Sequence, residues 1–213
     1  MIRVLVVDDH IIFRAGLKQV FGDETDLEVA GEAGTAKDAL SKAALADRWD
    51  VMLLDIALPD KNGLEVLKQV KEINPRLPVL MLSIFAEDQY AIRALSMGAA
   101  GYLTKDSEPE QLLGAIRKAA AGRRYISAGL AEQLAAGLDA NAPKLLHERL
   151  SDREYQVFCA IARGLASSEI AEELSLKVKT VGTYRGRILE KMGFTKNAEI
   201  IHYAIENRLV HFG

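Results

Sequence analysis

The sequence predicts a doubly wound α/β domain with a five-stranded parallel sheet, followed by an all-α domain. Three short apolar runs at 4–7, 51–54 and 79–82 are partly β-branched, which is typical of strands buried on both faces of a parallel sheet. Amphipathic helical stretches separate these runs, whereas only helical patterns occur from residue 150 onward. The 213 residues therefore suit two domains of different architecture.

Five strands alternating with five helices account for the α/β domain. Weaker strand candidates at 28–31 and 101–103 join the three apolar runs. The predicted helices that alternate with the strands lie at 10–21, 35–48, 63–73, 87–97 and 107–121. Sheets of this type bind ligands beyond the carboxyl ends of their strands, so we expect functional residues at that edge.

Residues 123–147 are predicted to link a first domain at 1–122 to a second domain at 148–213. The linker pattern allows a short helix at 127–138 and indicates a break at 139–143. The helices predicted in the second domain lie at 151–163, 167–174, 178–192 and 197–207. Gly164 and Gly193 stand where two of these helices are expected to stop.

Composition is typical of a globular protein, with 49% apolar and 27% charged residues. The apolar run at the N-terminus is too short for an export signal and ends in acid. No stretch approaches the ~18 apolar residues of a membrane span, so we expect a cytoplasmic protein without a membrane partner. Cys159 is the single cysteine, which excludes a disulfide framework within one chain, and its apolar helix predicts a core position.

Charge is unevenly distributed along the chain. Residues 1–122 carry 14 Lys and Arg against 19 Asp and Glu, whereas residues 148–213 carry 10 against 9. An acidic first domain and a near-neutral second domain indicate different partners. The second domain is not basic enough to identify a nucleic-acid-binding protein by charge alone.

Polar side chains follow the predicted strands at one edge of the sheet. They are Asp8 and Asp9 after the first strand, Asp55 and Ser83 at the ends of the third and fourth strands, and Lys105 after the fifth. Three adjacent carboxylates repel one another and require a cation, and a site rich in oxygen ligands suits Mg²⁺. One carboxylate can then attack a phosphoryl donor, while the hydroxyl and the amine bind phosphoryl oxygens.

A single Asp at a strand end is more often a turn or helix-cap residue than a ligand. Asp8 and Asp9 by themselves are suited to cap the helix that begins near His10. The combination of five residues at one edge nevertheless favours a functional site. We assign His10 no ligand role, because a histidine in a first helical turn is usually a surface residue.

The runs VVDDH, LLDIALPDKNG, MLS and GAAGYLTKD closely resemble the receiver domains of two-component response regulators. The resemblance covers residues 1–122 and implies a flavodoxin-like fold. It implies that Asp55 is the phosphoacceptor and that Asp8, Asp9 and the backbone carbonyl of Ala57 join Asp55 in holding Mg²⁺.

The same resemblance assigns further residues around the pocket. Ser83 matches the switch hydroxyl, Tyr102 the aromatic residue that turns inward on activation, and Lys105 the phosphate-binding lysine. Pro59 and Gly63 match the loop that shapes the pocket. Ile84 departs from the pattern, since many receivers have a small residue there, and its bulk predicts narrower access for small phosphodonors.

Residues 165–193 have the form of a helix, a tight connection at 175–177 and a second helix. Apolar stripes are predicted at Ile170, Ala171 and Leu174 on the first helix and at Val178, Val181, Ile188, Leu189 and Met192 on the second. The polar residues left on the second helix are Lys179, Thr180, Thr183, Tyr184, Arg185 and Arg187. This arrangement fits DNA binding, although the pattern alone leaves open a helical domain whose basic residues are merely solvated.

The runs LSDREYQVF and SSEIAEELSLKVKTVGTYRGRILEKMG closely resemble the LuxR-type helix-turn-helix of NarL/FixJ response regulators. The resemblance covers residues 148–210, and the order of the two domains is that of the family. It implies that Lys179 and Thr180 begin the recognition helix. It also implies that the DNA-facing residues of this helix include Thr183, Tyr184, Arg185 and Arg187.

The resemblance also bears on one acid and two glycines of this domain. Glu154 matches a structural acid of the family and is expected to serve folding. Gly182 and Gly186 occupy positions where relatives often place side chains toward bases. Each glycine costs about 1 kcal/mol of helix propensity relative to Ala, and it either permits close approach to DNA or reduces direct readout.

Together the resemblances imply a phosphorylation-dependent transcription regulator whose partners are a sensor histidine kinase, double-stranded DNA and a second copy of the chain when active. Two alternatives come from other classes. A phosphatase of the haloacid dehalogenase type needs an Asp two residues after the nucleophile, but Ala57 stands there, so we do not expect an enzyme. A regulator controlled without phosphorylation is disfavoured by the complete set of five pocket residues.

Overall fold

The computed structural model describes residues 1–45, 47–84, 87–136, 145–207 and 209. These residues belong to two compact units, Met1–Leu134 and Ala135–Gly213. The first unit is an α/β structure and the second is helical. Within the described part of the chain, no helix combines the length and the apolar character needed to cross a bilayer.

A parallel five-stranded sheet forms the centre of the first unit, as predicted. Its strands are β1 (Ile2–Val7), β2 (Leu27–Ala33), β3 (Val51–Asp55), β4 (Val79–Ser83) and β5 (Gly101–Thr104), in the order β2-β1-β3-β4-β5. β3 and β4 are buried along their whole length, which explains their continuous apolar sequences. Asp55 lies opposite Leu82, and Ser83 lies opposite Thr104, so the strand ends bring their polar residues to one edge.

Helices cover the sheet in the alternation that the sequence predicts. They are α1 (Ile11–Gly22), α2 (Ala36–Ala43), α3 (Gly63–Ile73), α4 (Glu87–Ser96) and α5 (Pro109–Ala120). Leu17 and Phe21 of α1 and Leu112 and Ile116 of α5 are buried in one core cluster with residues of the central strands. Full burial of such a side chain stabilises the fold by about 1.5–3 kcal/mol.

The second helix ends earlier than the predicted range of 35–48. The Lys42 carbonyl accepts hydrogen bonds from the Leu45 N–H and the Trp49 indole, so the helical bonding pattern stops there. Asp47 then adopts a left-handed conformation with φ of 56°. The reversal allows Trp49 to pack over Gly31, where an added Cβ would lie only 2.4 Å from the indole ring.

A short helix, α6 (Ala128–Ala136), lies inside the region predicted as a linker. The residues that precede this helix belong to the first unit, where the Tyr125 N–H donates a 2.7 Å hydrogen bond to the Ala100 carbonyl. Residues 137 and 138 and the predicted break at 139–143 lie outside the described residues. The predicted domain boundaries therefore stay a prediction.

The second unit contains a 3-10 turn (Leu146–Arg149), α7 (Asp152–Ala162), α8 (Ser167–Glu173), α9 (Val178–Met192) and α10 (Asn197–Glu206). Gly164 and Gly193 end α7 and α9 in left-handed conformations with φ of 84° and 71°, as predicted. Cys159 is fully buried in α7, in agreement with its predicted core position. The 3-10 turn was not expected from the sequence.

Candidate functional site

An acid pocket forms at the carboxyl edge of the sheet, where Asp8, Asp55 and Lys105 meet. The Lys105 ammonium lies 2.7 Å from Asp55 Oδ2 and 2.6 Å from Asp8 Oδ2. Both carboxylates are almost completely buried, so the lysine offsets much of their mutual repulsion. The structure thus brings together Asp8, Asp55 and Lys105 as the strand ends predicted, and Asp9 lies beside them.

Asp55 has the environment of a reactive carboxylate. It is 2% exposed, and its Oδ1 accepts a 3.1 Å hydrogen bond from the Ala57 N–H. Burial raises the pKa of Asp55 to about 6, although the charge of Lys105 and the Ala57 N–H oppose that rise and Asp8 adds to it. A carboxyl group with this pKa is ionised near neutral pH and is poorly solvated.

Asp9 and His10 extend the pocket toward solvent. His10 Nδ1 lies 2.9 Å from Asp9 Oδ1 and 3.1 Å from Asp8 Oδ1. Asp8, Asp9, His10 and Asp55 each offer a ligand atom, and these atoms all lie within 4.8 Å of one another. The exposed imidazole therefore lies beside the acids, and the expectation that His10 has no ligand role stays a prediction.

The loop after Asp55 is held against the end of β3 by Gly63. A Cβ at Gly63 would lie 2.1 Å from the Asp55 carbonyl oxygen, so only glycine fits there. The Gly63 N–H donates to the Ile56 carbonyl at 2.8 Å, and Asn62 Oδ1 accepts from the Leu64 N–H to cap α3. Pro59 is exposed in the same loop. The sequence suggested Gly63 as a helix start. The structure shows in addition that the close packing of the loop against Asp55 requires a glycine at this position.

Ser83, Tyr102 and Ile84 complete the surroundings of the pocket. Ser83 is fully buried, and its carbonyl accepts a 2.7 Å hydrogen bond from the Lys105 N–H. Tyr102 is also fully buried, and its role as the aromatic switch residue stays a prediction. Ile84 is 61% exposed. It lines an open cavity of about 300 Å³ together with His10, Ile12, Phe13 and Lys105.

A second candidate surface lies on α9 in the helical unit. α8 and α9 are joined by a connection in which Ser175 has a left-handed φ of 51° and the Leu176 N–H donates to the Ala171 carbonyl. Val181 and Ile188 of α9 are buried on the other side of the helix. α8, the short connection and α9 therefore have the helix-turn-helix form that the sequence predicts.

The residues predicted to face DNA differ in their exposure. Lys179, Thr183 and Arg187 are exposed, whereas Thr180, Tyr184 and Arg185 are half-buried. Arg185 Nε donates a 2.6 Å hydrogen bond to Asn197 Oδ1 of α10, so its side chain is at least partly engaged within the domain. Gly182 and Gly186 are exposed, and among the described residues an added Cβ at either would meet no atom within 4 Å beyond its own stretch of the helix.

Val178 corrects one prediction for this helix. It was assigned to the apolar stripe, but its position in the first turn leaves it 53% exposed. Glu154 has the folding role expected of it, since its Oε2 accepts hydrogen bonds from the Ser151 N–H at 2.8 Å and from Lys191 Nζ at 2.6 Å. These contacts cap α7 and tie it to α9.

Two protein families match the chain. The response regulator receiver domain matches residues 4–117, and the luxR family of bacterial regulatory proteins matches residues 148–204. The first match contains the acid pocket and the second contains α8 and α9. The two matches agree with the division into an α/β unit and a helical unit.

Relatives resemble the chain over nearly its whole length. The response regulator UvrY of Escherichia coli O6:H1 is 35% identical over 210 residues, which cover 98% of this chain and 96% of UvrY. The response regulator GacA of Pseudomonas aeruginosa is 38% identical over 213 residues, which cover 99% of this chain and 98% of GacA. Both relatives therefore share the whole arrangement of two domains.

Solved structures also resemble the chain. A two-component response regulator of the LuxR family from Aurantimonas is 30% identical with a TM-score of 0.58, covering 63% of this chain and 96% of that chain. RcsB of Salmonella enterica serovar Typhimurium, bound to promoter rprA in the presence of the phosphomimetic BeF₃⁻, has a TM-score of 0.62 and 23% identity. That match covers 95% of this chain and 98% of RcsB, and it shows a shared fold alone.

Proposed function

This chain belongs to the response regulators that join a receiver domain to a luxR-family DNA-binding domain, and on that premise we propose that Asp55 is its phosphoacceptor. The protein is a phosphorylation-dependent transcription regulator of a two-component system. The observation that carries the assignment of Asp55 is its burial beside Lys105, at 2.7 Å, with Asp8 on the same ammonium group.

In the proposed reaction, one oxygen of Asp55 forms a P–O bond as the P–N bond to a phosphohistidine of a sensor kinase breaks. The imidazole of the kinase leaves with the electron pair of that bond. Lys105 is already at the carboxylate and stays beside the transferred group, where its charge offsets the phosphoryl oxygens. Ser83 supplies a hydroxyl for one of those oxygens. Small acyl phosphates are alternative donors.

A divalent cation fits the acid pocket. The donor set consists of oxygens from Asp8, Asp9 and Asp55 that approach within 4.8 Å of one another, and hard oxygen ligands are those that Mg²⁺ prefers. We assign the backbone carbonyl of Ala57 as a further ligand. When bound, Mg²⁺ would supply positive charge for the carboxylates and the phosphoryl oxygens. Asp8, Asp9 and one oxygen of Asp55 would hold the ion, which leaves the other oxygen of Asp55 to react.

Phosphorylation is proposed to repack the face formed by α4 and β5, together with its neighbours. Ser83 is drawn toward the phosphoryl group, and Tyr102 turns inward. A two-state change of this face then favours a homodimer that binds two DNA half-sites. When two DNA-binding domains are linked in a dimer, the dimer binds DNA much more tightly than either domain does alone. Dimerisation can therefore supply affinity that a single domain of nearly balanced charge lacks.

The exposed face of α9 is the proposed DNA-binding surface. Lys179, Thr183 and Arg187 are exposed on it and are suited to contact phosphates and base edges of double-stranded DNA. Thr180, Tyr184 and Arg185 are assigned to the border of this surface. The proposed boundaries are 1–122 for the receiver domain, 123–147 for the linker and 148–213 for the DNA-binding domain. The proposed location is the cytoplasm, where bacterial DNA lies.

Intact-mass measurement tests the assignment of Asp55. The full chain is treated with acetyl phosphate and Mg²⁺, and we expect the wild type to gain the mass of one phosphoryl group. Asp55→Asn should gain none, whereas Asp60→Asn, which alters an exposed acid of the same loop, should behave as the wild type. Equal mass gain in wild type and Asp55→Asn would exclude Asp55. Multiple-turnover phosphate release, if observed, would favour a phosphatase instead.

A further inference from the structure

Arg14 of α1 connects the acid pocket to the neighbouring strand β2. Its Nη1 donates a 2.5 Å hydrogen bond to the Asp8 carbonyl, and its Nε donates a 3.1 Å hydrogen bond to Glu32 Oε2. The Arg14 side chain is only 15% exposed. The arginine thus bridges β2 and the loop that carries both metal-binding acids, and none of the family-derived assignments gives it a role.

The carbonyl that Arg14 holds belongs to the peptide group between Asp8 and Asp9. Because a peptide group is planar, fixing its oxygen also fixes the direction in which the chain continues to Asp9. The carboxylate of Asp8 is held separately, since its Oδ1 accepts a 2.8 Å hydrogen bond from the His10 N–H. The hydrogen bond from Arg14 to the Asp8 carbonyl therefore helps to set the orientation of Asp9 relative to Asp8, independently of the bond that holds the Asp8 carboxylate.

Glu32 holds Arg14 in place. A guanidinium group is planar, so the bond from Nε to Glu32 also orients Nη1 toward the Asp8 carbonyl. Glu32 is part of β2, and the next residue, Ala33, accepts a 3.0 Å hydrogen bond from the Asp8 N–H. Lys18, one turn further along α1, pairs with the same carboxylate of Glu32. The arginine is thus anchored to a strand that packs directly beside β1.

We propose that Arg14 is a positioning residue that holds the Asp8–Asp9 peptide in the orientation required to bind a divalent cation. This inference rests on the proposed function of Asp8 and Asp9 as metal-binding acids. Arg14 acts through the backbone and does not touch the cation or the phosphoryl group. Outer-shell hydrogen bonds of this kind typically change metal affinity by about 10-fold or more when they are removed.

If only electrostatics mattered, the removal of Arg14 would change the Mg²⁺ affinity in the opposite direction. Arg14 is a cation near a cation-binding site, so its removal would strengthen Mg²⁺ binding if charge were the only effect. Positioning predicts weaker binding. Lys18→Met is the matched control, because it removes a cation that shares Glu32 with Arg14 and lies on the same helix. The direction of the change therefore separates the two explanations.

The test is calorimetric titration of the full metal-free chain with Mg²⁺ at pH 8. We expect Arg14→Gln to weaken binding by about 10-fold and Arg14→Lys to weaken it similarly, because a lysine cannot bridge the Asp8 carbonyl and Glu32 together. Lys18→Met should change the affinity less than about 2-fold. Unchanged or tighter binding by Arg14→Gln, or equal weakening by Lys18→Met, would overturn the proposal.

Two further variants keep the test decisive. Glu32→Gln retains Arg14 and is expected to weaken Mg²⁺ binding relative to the wild type, because it removes both the anchor of Arg14 and a negative charge. If Arg14→Gln does not fold, Arg14→Lys serves in its place, because it keeps the charge and removes only the bridge. An affinity for Glu32→Gln equal to that of the wild type would count against the bridge. Asp9→Asn should abolish binding, and if it binds Mg²⁺ as the wild type does, the proposed metal site fails rather than the role of Arg14.

Discussion

Lys105 donates a 2.7 Å hydrogen bond to Asp55, which joins the end of β5 to the end of β3. The same ammonium lies 2.6 Å from Asp8, and the ring of Phe13 lies 4.8 Å from it. Burial lowers the pKa of Lys105, but the two carboxylates outweigh it and raise the pKa overall. Lys105 is therefore charged, and it is the main protein cation that compensates the pocket.

Removal of this charge should destabilise the metal-free protein. Lys105→Met leaves two buried carboxylates without their cation, which typically costs about 3 kcal/mol of unfolding free energy. Mg²⁺ should restore most of that loss in the variant. Urea unfolding at pH 8 with and without Mg²⁺ measures both quantities, and Lys68→Met, at an exposed position of α3, is the control. Equal stability of the two variants without metal would contradict the role of Lys105.

Asp55 makes the stability of the protein depend on pH in a defined direction. Its pKa is raised to about 6 in the folded protein, above the value of about 3.9 expected in the unfolded chain. The folded state therefore binds this proton more tightly. Its stabilising effect is fully present below about pH 4 and is lost as the pH rises through 6.

Asp55→Asn removes this dependence, because an amide does not titrate in that range. Without metal, the variant should gain stability over the wild type by about 1 kcal/mol more at pH 7.5 than at pH 5. Chemical unfolding of both proteins at the two pH values gives the difference. A gap between them that stays constant or shrinks as the pH rises would mean that Asp55 does not have a raised pKa.

Ile84 should slow phosphorylation by small donors. Its exposed side chain lines the same cavity as Lys105, which contacts Asp55, so we expect Ile84→Ala to widen the approach to Asp55. We expect acetyl phosphate to react about 3- to 10-fold faster with the variant, which corresponds to about 1 kcal/mol of activation free energy. The rate of mass gain measures this effect. Ile73→Ala changes an exposed isoleucine of α3 and should have the rate of the wild type. An unchanged rate in Ile84→Ala would show that this side chain does not limit access.

Substitutions at Gly182 and Gly186 should affect protein stability and DNA binding in different ways. Because an added Cβ meets no atom of the described residues within 4 Å beyond its own stretch of the helix, Ala at either position should raise the unfolding free energy by about 1 kcal/mol. A larger side chain on the same face should obstruct DNA, so Gly182→Leu should retain stability but lose about 10-fold in DNA affinity. Fluorescence anisotropy with a selected DNA fragment measures that loss. Gly22→Leu, at the exposed end of α1, is the control, and equal affinities of the two Leu variants would place the DNA elsewhere.

The pocket could be predicted from the sequence to the extent that it depends on strand ends. In a parallel sheet, Asp8, Asp55 and Lys105 reach one edge whatever the details of packing, because each follows a recognisable strand. The contributions of α1 could not be predicted in this way. Arg14 reaches the Asp8 carbonyl, and Phe13 reaches Lys105, only because of how α1 is rotated and packed against the sheet.

In the helical unit, too, features that follow from the spacing along one helix could be predicted, whereas those that depend on packing between helices could not. The periodicity of α9 correctly predicted Val181 and Ile188 as buried, because both lie in the middle of the packed face. Val178 has the right spacing but lies in the first turn, where its side chain is left 53% exposed. The hydrogen bond from Arg185 to Asn197 depends on the position of α10, which spacing along one helix does not determine.

The central claim is that phosphorylation of Asp55 controls DNA binding, and one measurement tests it most directly. DNA fragments are first selected from the genome by the phosphorylated wild type, and the affinity for a selected fragment is then measured with and without acetyl phosphate and Mg²⁺. We expect the affinity of the wild type to change by about 10-fold or more and that of Asp55→Asn to stay the same. The same response in both proteins, or no response in a wild type shown by mass to be phosphorylated, would contradict the claim.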